Sequence, residues 1–184
     1  MNLPNKLTLL RVLIIPVFVS VYLAHNYFWA FGLFAFASFT DLIDGIIARR
    51  YKLVTDFGAL MDPLADKLLV MAAMVCFLGS GLVHAAVVIV LLSREFLVTS
   101  IRLVAAGKGK VIAADKWGKL KTVLQMTWIM VALLLLWLDT IESLSAFFAG
   151  FWIVFHILTW LVVAATVLSG LNYVVRNWKL IGDV

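Results

Sequence analysis

Four aspartates lie at the adjoining ends of two apolar segments, with a spacing that could bind metal ions. Asp41 and Asp44 are near the end of the second apolar segment, and Asp62 and Asp66 are near the start of the third. In a helix, offsets of three and four residues place side chains on one face. Because a short loop joins the two segments, we expect antiparallel neighbouring helices whose four carboxylates meet at one membrane surface.

Four ionised carboxylates this close together need cations to offset their mutual repulsion. Oxygen-only ligands favour hard ions such as Mg²⁺, Mn²⁺ or Ca²⁺, and four carboxylates suffice for two ions, which suits an in-line phosphoryl displacement. The alternative is pairing with nearby basic side chains: Arg49, Arg50 and Lys67. We favour the metal interpretation because acids inside membrane segments are usually functional.

The elements that carry these residues are strongly apolar. Of the 184 residues, 65% are hydrophobic and 14% are charged, and a soluble domain of this size could not bury so much apolar surface. A membrane-spanning helix needs about 20 apolar residues, so the apolar runs predict six spans. Their expected limits are residues 7–24, 28–50, 59–79, 82–105, 118–138 and 147–175. The predicted fold class is an all-α integral membrane protein with six transmembrane helices in one domain, residues 1–184.

The basic residues predict how these helices are oriented in the membrane. Lys and Arg occur near the two chain ends and at alternate joints between the predicted spans, whereas the other joints carry His25, His84, Asp139 and Glu142. By the positive-inside rule, both termini and the acidic cluster face the cytoplasm. The net charge of +5 is then explained by anchoring to anionic membrane lipids, and we expect no nucleic-acid partner.

A second polar group lies in the fourth and fifth segments, where it could bind a phosphorylated substrate. Its members are Arg94, Arg102, Lys119, Lys121 and Thr122. Anions are favoured near the start of the fifth helix, where backbone N–H groups are unpaired. Lipid anchoring is the alternative, and we favour it for Lys108, Lys110 and Lys116. In the last segment, His156 and Trp160 are interpreted as packing residues.

The motif D-x-x-D-G-x-x-A-R-x8-G-x-x-x-D-x-x-x-D, which runs from Asp41 to Asp66, resembles the signature of the CDP-alcohol phosphotransferase family. The resemblance implies six transmembrane helices, two divalent metal ions (Mg²⁺ or Mn²⁺) at the cytoplasmic surface, and a homodimer. It also implies transfer of a phospho-alcohol group from a CDP-linked donor to an acceptor hydroxyl, with release of CMP.

The resemblance further implies roles for individual residues. The implied metal ligands are Asp41, Asp44, Asp62 and Asp66, of which Asp66 is also the general base. The implied donor-binding residues in the motif are Gly45, Ala48, Arg49 and Gly58. The opening segment adds Asn5 and Thr8 as contacts to the donor, although capping of the first helix is the simpler role for either residue.

The resemblance extends from Asn5 to Gln125 and is strongest to members that use CDP-diacylglycerol as donor and sn-glycerol 3-phosphate as acceptor. It implies a bacterial inner-membrane enzyme of phospholipid biosynthesis. Another phosphorylated acceptor, such as inositol phosphate, fits the same basic residues. A divalent-cation transporter is a further alternative, but transport predicts acids near the membrane midplane and internal repeats, and here the acids are at one end.

Overall fold

The structure is a computed structural model that describes residues 3–51, 56–109, 112, 116–141 and 150–178. Within these ranges, side chains are described except at residues 3–8, 41–66 and 116. The described residues form only α-helices, with no strand. The helices are α1 (Leu3–Leu23), α2 (Tyr27–Tyr51), α3 (Asp56–Gly79), α4 (Ala85–Gly107), α5 (Lys116–Asp139) and α6 (Phe151–Arg176). The all-α prediction is confirmed, and each of the six predicted segments corresponds to one helix.

The first helix begins earlier than the sequence predicted, at Leu3 instead of residue 7. Pro4 lies in its first turn, where proline is tolerated because the missing N–H has no partner within the helix. The joints that follow α1 and α3 are short. His25 adopts a φ of 57° between α1 and α2, and Gly81 adopts a φ of 74° between α3 and α4. These tight turns make consecutive helices neighbours.

The six helices pack in a closed ring whose order differs from the chain order. Going around the ring, the neighbours are α1, α2, α5, α6, α4 and α3, and α3 then contacts α1 again. Contacts between α3 and α5 cross the middle of the ring, and α2 also touches α3. As a result α3, which carries the second half of the acidic motif, contacts α1, α2, α4 and α5.

Buried aromatic rings connect four of these helices through the core. Tyr22 of α1 lies 5.9 Å from Phe77 of α3, and Phe77 meets Trp128 of α5 edge-on at 5.7 Å between ring centroids. Trp128 in turn stacks on Phe155 of α6 at 5.9 Å. The indole N–H of Trp128 donates a 2.8 Å hydrogen bond to Thr159 Oγ1, so its polar atom is satisfied inside the core.

The outer faces of α4 and α6 are apolar and exposed, as expected for helices that face lipid. Large side chains such as Leu103 and Val175 are more than 70% exposed, and an apolar groove of about 790 Å³ runs between the two helices. Contiguous apolar surface of this kind is rarely exposed to water and is typical of a face that contacts a membrane or another protein. By length and composition, two of the described segments can cross a membrane: Trp117–Asp139 and Phe151–Arg176. Apolar helices on this scale indicate a membrane protein.

His156 and Trp160 do not belong to the core of the chain. Both lie on the exposed side of α6, and Trp160 is 68% exposed. The residues one position before each of them, Phe155 and Thr159, do pack inward. The His156 ring still lies 5.7 Å from the Phe155 ring centroid, so it packs at the edge of the core. The interpretation of Trp160 as a packing residue is wrong within this chain, because a step of one residue on a helix turns the side chain away from the core.

Replacing Trp128 with Phe should destabilise the helix bundle. The smaller ring loses the hydrogen bond to Thr159 Oγ1 and leaves a void beside Phe77, at a cost of about 1–3 kcal/mol. The measurement is thermal unfolding of the detergent-solubilised protein. Trp117→Phe, at a 51% exposed position on the same helix, is the matched control and should leave the midpoint unchanged. Equal midpoints for the two variants would contradict the role given to the buried indole.

Candidate active site

The four motif aspartates lie on continuous helical backbone. Asp41 and Asp44 are within α2, and Asp62 and Asp66 are within α3, which touches α2. The predicted one-face spacing of each pair therefore has the helical geometry that it requires. The side chains of these aspartates lie outside the described residues. The same holds for the predicted donor-binding residues, whose positions beyond the backbone lie outside the described part of the chain: Asn5, Thr8, Gly45, Ala48, Arg49 and Gly58.

Among the side chains that the structure describes, no three His, Cys, Asp or Glu residues come together as a metal site. The predicted ligand set nevertheless fits a hard divalent cation on two grounds. Its donors are all carboxylate oxygens, and they are carried by two helices that contact each other. The four-aspartate metal site therefore stays a prediction.

A cavity open to solvent lies between α3, α4 and α5, with about 390 Å³ of empty space. Its described lining starts at Lys67, the residue that follows Asp66. The described residues that line it are Lys67, Val70, Met71, Met74, Glu95, Lys121, Thr122, Gln125 and Met126. Offsets of three and four residues bring the α3 members onto one helix face, and the same is true of the α5 members. The lining therefore combines cations, hydrogen-bonding groups and an apolar wall.

Glu95 joins two basic residues at this cavity. Its Oε1 atom accepts a hydrogen bond from the Lys121 ammonium and another, 3.1 Å long, from Arg94 Nη1. The Lys121 side chain is only 1% exposed, and a charge this deeply buried is tolerated only when an opposite charge offsets the loss of water. Glu95 therefore holds the Lys121 ammonium at the wall of the cavity.

Lys67 contributes a third cation to the region. Its ammonium donates a hydrogen bond to Thr99 Oγ1, and that hydroxyl donates to the backbone carbonyl of Glu95 at 2.7 Å. The residues Lys67, Arg94, Lys121 and Glu95 together carry three positive charges and one negative charge. Within the described part of the chain, this cluster has an excess of positive charge, which favours an anionic ligand.

Two glycines leave space for the Arg94 side chain between the helices. A Cβ atom at Gly170 of α6 would lie 3.2 Å from Arg94 Cγ, and a Cβ atom at Gly118 of α5 would lie 3.4 Å from Arg94 Nη2. Arg94 Nε donates a 3.2 Å hydrogen bond to Ser169 Oγ on α6. The guanidinium therefore links α4 to α6 and approaches the start of α5, and it reaches the cavity indirectly, through Glu95.

The structure divides the predicted acceptor-binding group. Lys121 and Thr122 line the cavity, and Arg94 is joined to it through Glu95. Arg102 lies elsewhere, where its Nε donates to the Tyr173 hydroxyl at 3.2 Å and its guanidinium lies 5.7 Å from the Tyr173 ring centroid. Lys119 is exposed and is not among the lining residues. Acceptor contacts from Arg102 and Lys119 stay predictions without geometric support in the described residues.

Three polar lining residues had no predicted role in binding: Lys67, Glu95 and Gln125. Lys67 was considered only as a counter-ion for the aspartates, although a lysine inside an apolar segment is itself a signal of function. Glu95 lies one helical turn before Thr99 on the same face, and Gln125 lies one turn after Lys121. Their positions were visible in the sequence, but the cavity that they share was not.

The fold and this cavity together indicate a class of protein. Apolar outer helices, an acidic motif at two helix ends and an adjoining cationic cavity are typical of a membrane enzyme that acts on phosphorylated substrates. The family model described as CDP-alcohol phosphatidyltransferase matches residues 1–168. The chain belongs to this family of transferases.

Several curated relatives are similar to the chain over most of their length. A protein of Bacillus subtilis is 43% identical, with 97% of this chain and 96% of that protein aligned. A protein of Rickettsia typhi is 35% identical, with 94% of each chain aligned. A protein of Pseudomonas fluorescens is 39% identical over 72% of each chain. All three are named CDP-diacylglycerol–glycerol-3-phosphate 3-phosphatidyltransferase.

Removing Glu95 should destabilise the protein more than removing its partner Lys121. Glu95→Leu takes away the carboxylate that offsets a buried ammonium, which typically costs about 3–5 kcal/mol. Lys121→Met leaves Glu95 paired with Arg94 and should cost less. In the double variant, the Lys121 charge is gone, so much of the loss should be recovered. Thermal and denaturant unfolding in detergent measure this coupling, and strictly additive effects would contradict it.

Proposed function

We propose that the protein transfers the phosphatidyl group of CDP-diacylglycerol to sn-glycerol 3-phosphate, giving phosphatidylglycerophosphate and CMP. The observation that carries the proposal is the cationic cavity between α3, α4 and α5, whose described lining includes Lys67, directly after the last aspartate of the family motif. A donor held at the motif and an anionic acceptor held in the cavity would then be adjacent. The names of the aligned relatives agree with this donor and this acceptor.

The donor is assigned to the motif. Gly45, Ala48, Arg49 and Gly58 bind the CDP head group in this proposal, with Asn5 and Thr8 of α1 as additional contacts. The aspartates at positions 41, 44, 62 and 66 would hold two divalent ions, Mg²⁺ or Mn²⁺, which would supply positive charge to offset the negative charge of the pyrophosphate. The acyl chains of the donor stay in the surrounding lipid.

The acceptor is assigned to the cavity. The ammonium groups of Lys67 and Lys121 bind its phosphate, and the Thr122 side chain lies on the same wall. Glu95 keeps Lys121 in position, and Arg94 supports Glu95 from the α6 side. An acceptor without a phosphate would leave the excess positive charge of Lys67, Arg94, Lys121 and Glu95 without an anionic ligand. This charge requirement favours phosphorylated acceptors over neutral alcohols.

The reaction is a single displacement at phosphorus. The Asp66 carboxylate accepts the proton of the free primary hydroxyl of glycerol 3-phosphate, whose oxygen attacks the phosphorus on the diacylglycerol side. A new oxygen–phosphorus bond forms while the bond from that phosphorus to the oxygen of CMP breaks. CMP leaves with the electron pair. Lys67 and Lys121 take no part in bond making. Their role is to orient the acceptor so that its hydroxyl lies near Asp66.

The same proposal includes the placement of the protein in the cell. We place the protein in the bacterial inner membrane, with six transmembrane helices and cytoplasmic termini. The active site would then face the aqueous cytoplasm, from which a water-soluble acceptor such as glycerol 3-phosphate can enter. The excess of basic residues near one membrane surface supports this orientation. The proposal also includes a homodimer within the membrane, which the resemblance to the family implies.

Purified protein should release CMP from CDP-diacylglycerol when glycerol 3-phosphate is added, and only when Mg²⁺ or Mn²⁺ is present. Removing the metal with a chelator should abolish release, and adding it back should restore release. The acceptor panel includes inositol phosphate and free inositol. Release with inositol phosphate but not with glycerol 3-phosphate would reassign the acceptor. Divalent-cation flux into proteoliposomes without CMP release would contradict the enzymatic function and indicate a transporter.

The matched inactive variant in this assay is Asp66→Asn. It removes the group that accepts the proton and leaves the side-chain volume almost unchanged, so we expect folded protein with very little CMP release. Near-normal activity of this variant would remove Asp66 from the role of general base.

Lys67→Met should weaken acceptor binding. Loss of one charge-assisted contact to phosphate costs about 1.5–3 kcal/mol, which corresponds to a rise of roughly ten-fold or more in the KM for glycerol 3-phosphate. The KM for CDP-diacylglycerol should change little. Lys108→Met is the control, because Lys108 follows the exposed end of α4 and does not line the cavity. An unchanged KM for glycerol 3-phosphate in Lys67→Met would contradict the assignment.

A further inference from the structure

Gln125 is a buried polar residue in the cavity wall that the proposed mechanism does not use. It is 3% exposed, and its Nε2 atom donates to the Met74 Sδ atom at 3.3 Å. A thioether sulfur is only a weak acceptor, so the amide gains little from this contact. The other lining residues around it on α3 and α5 include the apolar Val70, Met71 and Met126.

The carbonyl oxygen of this amide has capacity for a donor. Gln125 Oε1 accepts no hydrogen bond from the described residues, and it is not among their fully enclosed polar atoms without a partner. The oxygen is therefore still accessible. Because Gln125 lines the cavity, a ligand bound there can supply the donor.

The position of Gln125 relative to the cations limits which part of a ligand it can meet. Gln125 follows Lys121 by four residues on α5, so it lies about one helical turn, or about 6 Å, farther along the same face. A phosphate bound by Lys67 and Lys121 can only accept hydrogen bonds, so it does not match a carbonyl oxygen. A hydroxyl matches, because it donates to the oxygen and can accept from the amide nitrogen.

We propose that Gln125 is a specificity-determining residue that hydrogen-bonds the secondary hydroxyl of the acceptor, the one at C2 that is not the attacking group. The inference rests on the proposed function, because it takes glycerol 3-phosphate as the occupant of the cavity. The two cations bind the charge of the acceptor, and Gln125 recognises the hydroxyl beside it. Met71, Met74 and Met126 form the apolar surroundings that make an unmet hydrogen bond at Gln125 costly.

The test compares two acceptors that differ by this hydroxyl. The probes are glycerol 3-phosphate and 3-hydroxypropyl phosphate, which keeps the phosphate and the primary hydroxyl but lacks the group at C2. The native protein should prefer glycerol 3-phosphate by about ten-fold or more in kcat/KM, because only this acceptor supplies a C2 hydroxyl that pairs with the Gln125 side chain. Gln125→Met should reduce the preference to about two-fold or less, mainly by lowering kcat/KM for glycerol 3-phosphate.

A purely structural role for Gln125 predicts a different result. The variant would then lose activity with both acceptors by the same factor and keep the preference, which would overturn the inference. A native protein without preference between the two acceptors would overturn it as well. No CMP release with glycerol 3-phosphate at all would instead overturn the proposed function, so the two failures are distinguishable.

Thr127→Val is the matched control on the same helix. Thr127 is exposed, its Oγ1 atom donates to the Val123 carbonyl of its own helix at 2.9 Å, and it does not line the cavity. The acceptor preference of this variant should equal that of the native protein. If Gln125→Met does not fold, the inference is tested instead by the thermal unfolding midpoint of the native protein with each acceptor bound. Glycerol 3-phosphate should raise the midpoint more than 3-hydroxypropyl phosphate does, and equal shifts would contradict the inference.

Discussion

The buried pairing of Glu95 with Lys121 is the interaction on which the cavity depends. A lysine ammonium that is 99% buried loses its water, and only a carboxylate and good hydrogen bonds make that loss tolerable. Because Glu95 is on α4 and Lys121 is on α5, the pair also joins two helices. The Arg94 contacts to Glu95 and Ser169 extend the connection to α6. One carboxylate thus holds cations at the cavity and couples three helices.

The apolar core explains how such a polar group can exist inside a bundle of this kind. The rings of Tyr22, Phe77, Trp128 and Phe155 pack in sequence through α1, α3, α5 and α6, and the polar atom of Trp128 is satisfied by Thr159. This packing fixes the positions of α3 and α5 on one side of the cavity. With rigid walls, a small number of charged groups can be presented to a ligand in a constant arrangement. The outer faces of the bundle are left apolar and face lipid.

The membership of the chain in the CDP-alcohol phosphatidyltransferase family rests on sequence, and the cavity adds a physical account of its acceptor. In the proposed function the motif binds the donor, so the acceptor is recognised by residues outside the motif. Lys67, Glu95, Lys121 and Gln125 are residues of this kind, since none is part of the spaced motif. Their combination of charge and hydrogen-bonding capacity is matched to a phosphorylated alcohol.

Much of this protein could be determined from its sequence alone, because the relevant signals are local. Apolar run length identified the helices, and helical offsets placed the aspartates at positions 41 and 44, and likewise 62 and 66, on common faces of α2 and α3. Spacing within one helix is set by backbone geometry, so it needs no tertiary information. What the tertiary structure decided was which faces meet. Arg102 and Lys121 looked equivalent in the sequence, but Arg102 contacts Tyr173 while Lys121 lines the cavity with Glu95. Likewise, the ring order that brings α3, α4 and α5 together and turns Gln125 toward their shared cavity depends on packing between distant segments, which no local pattern specifies.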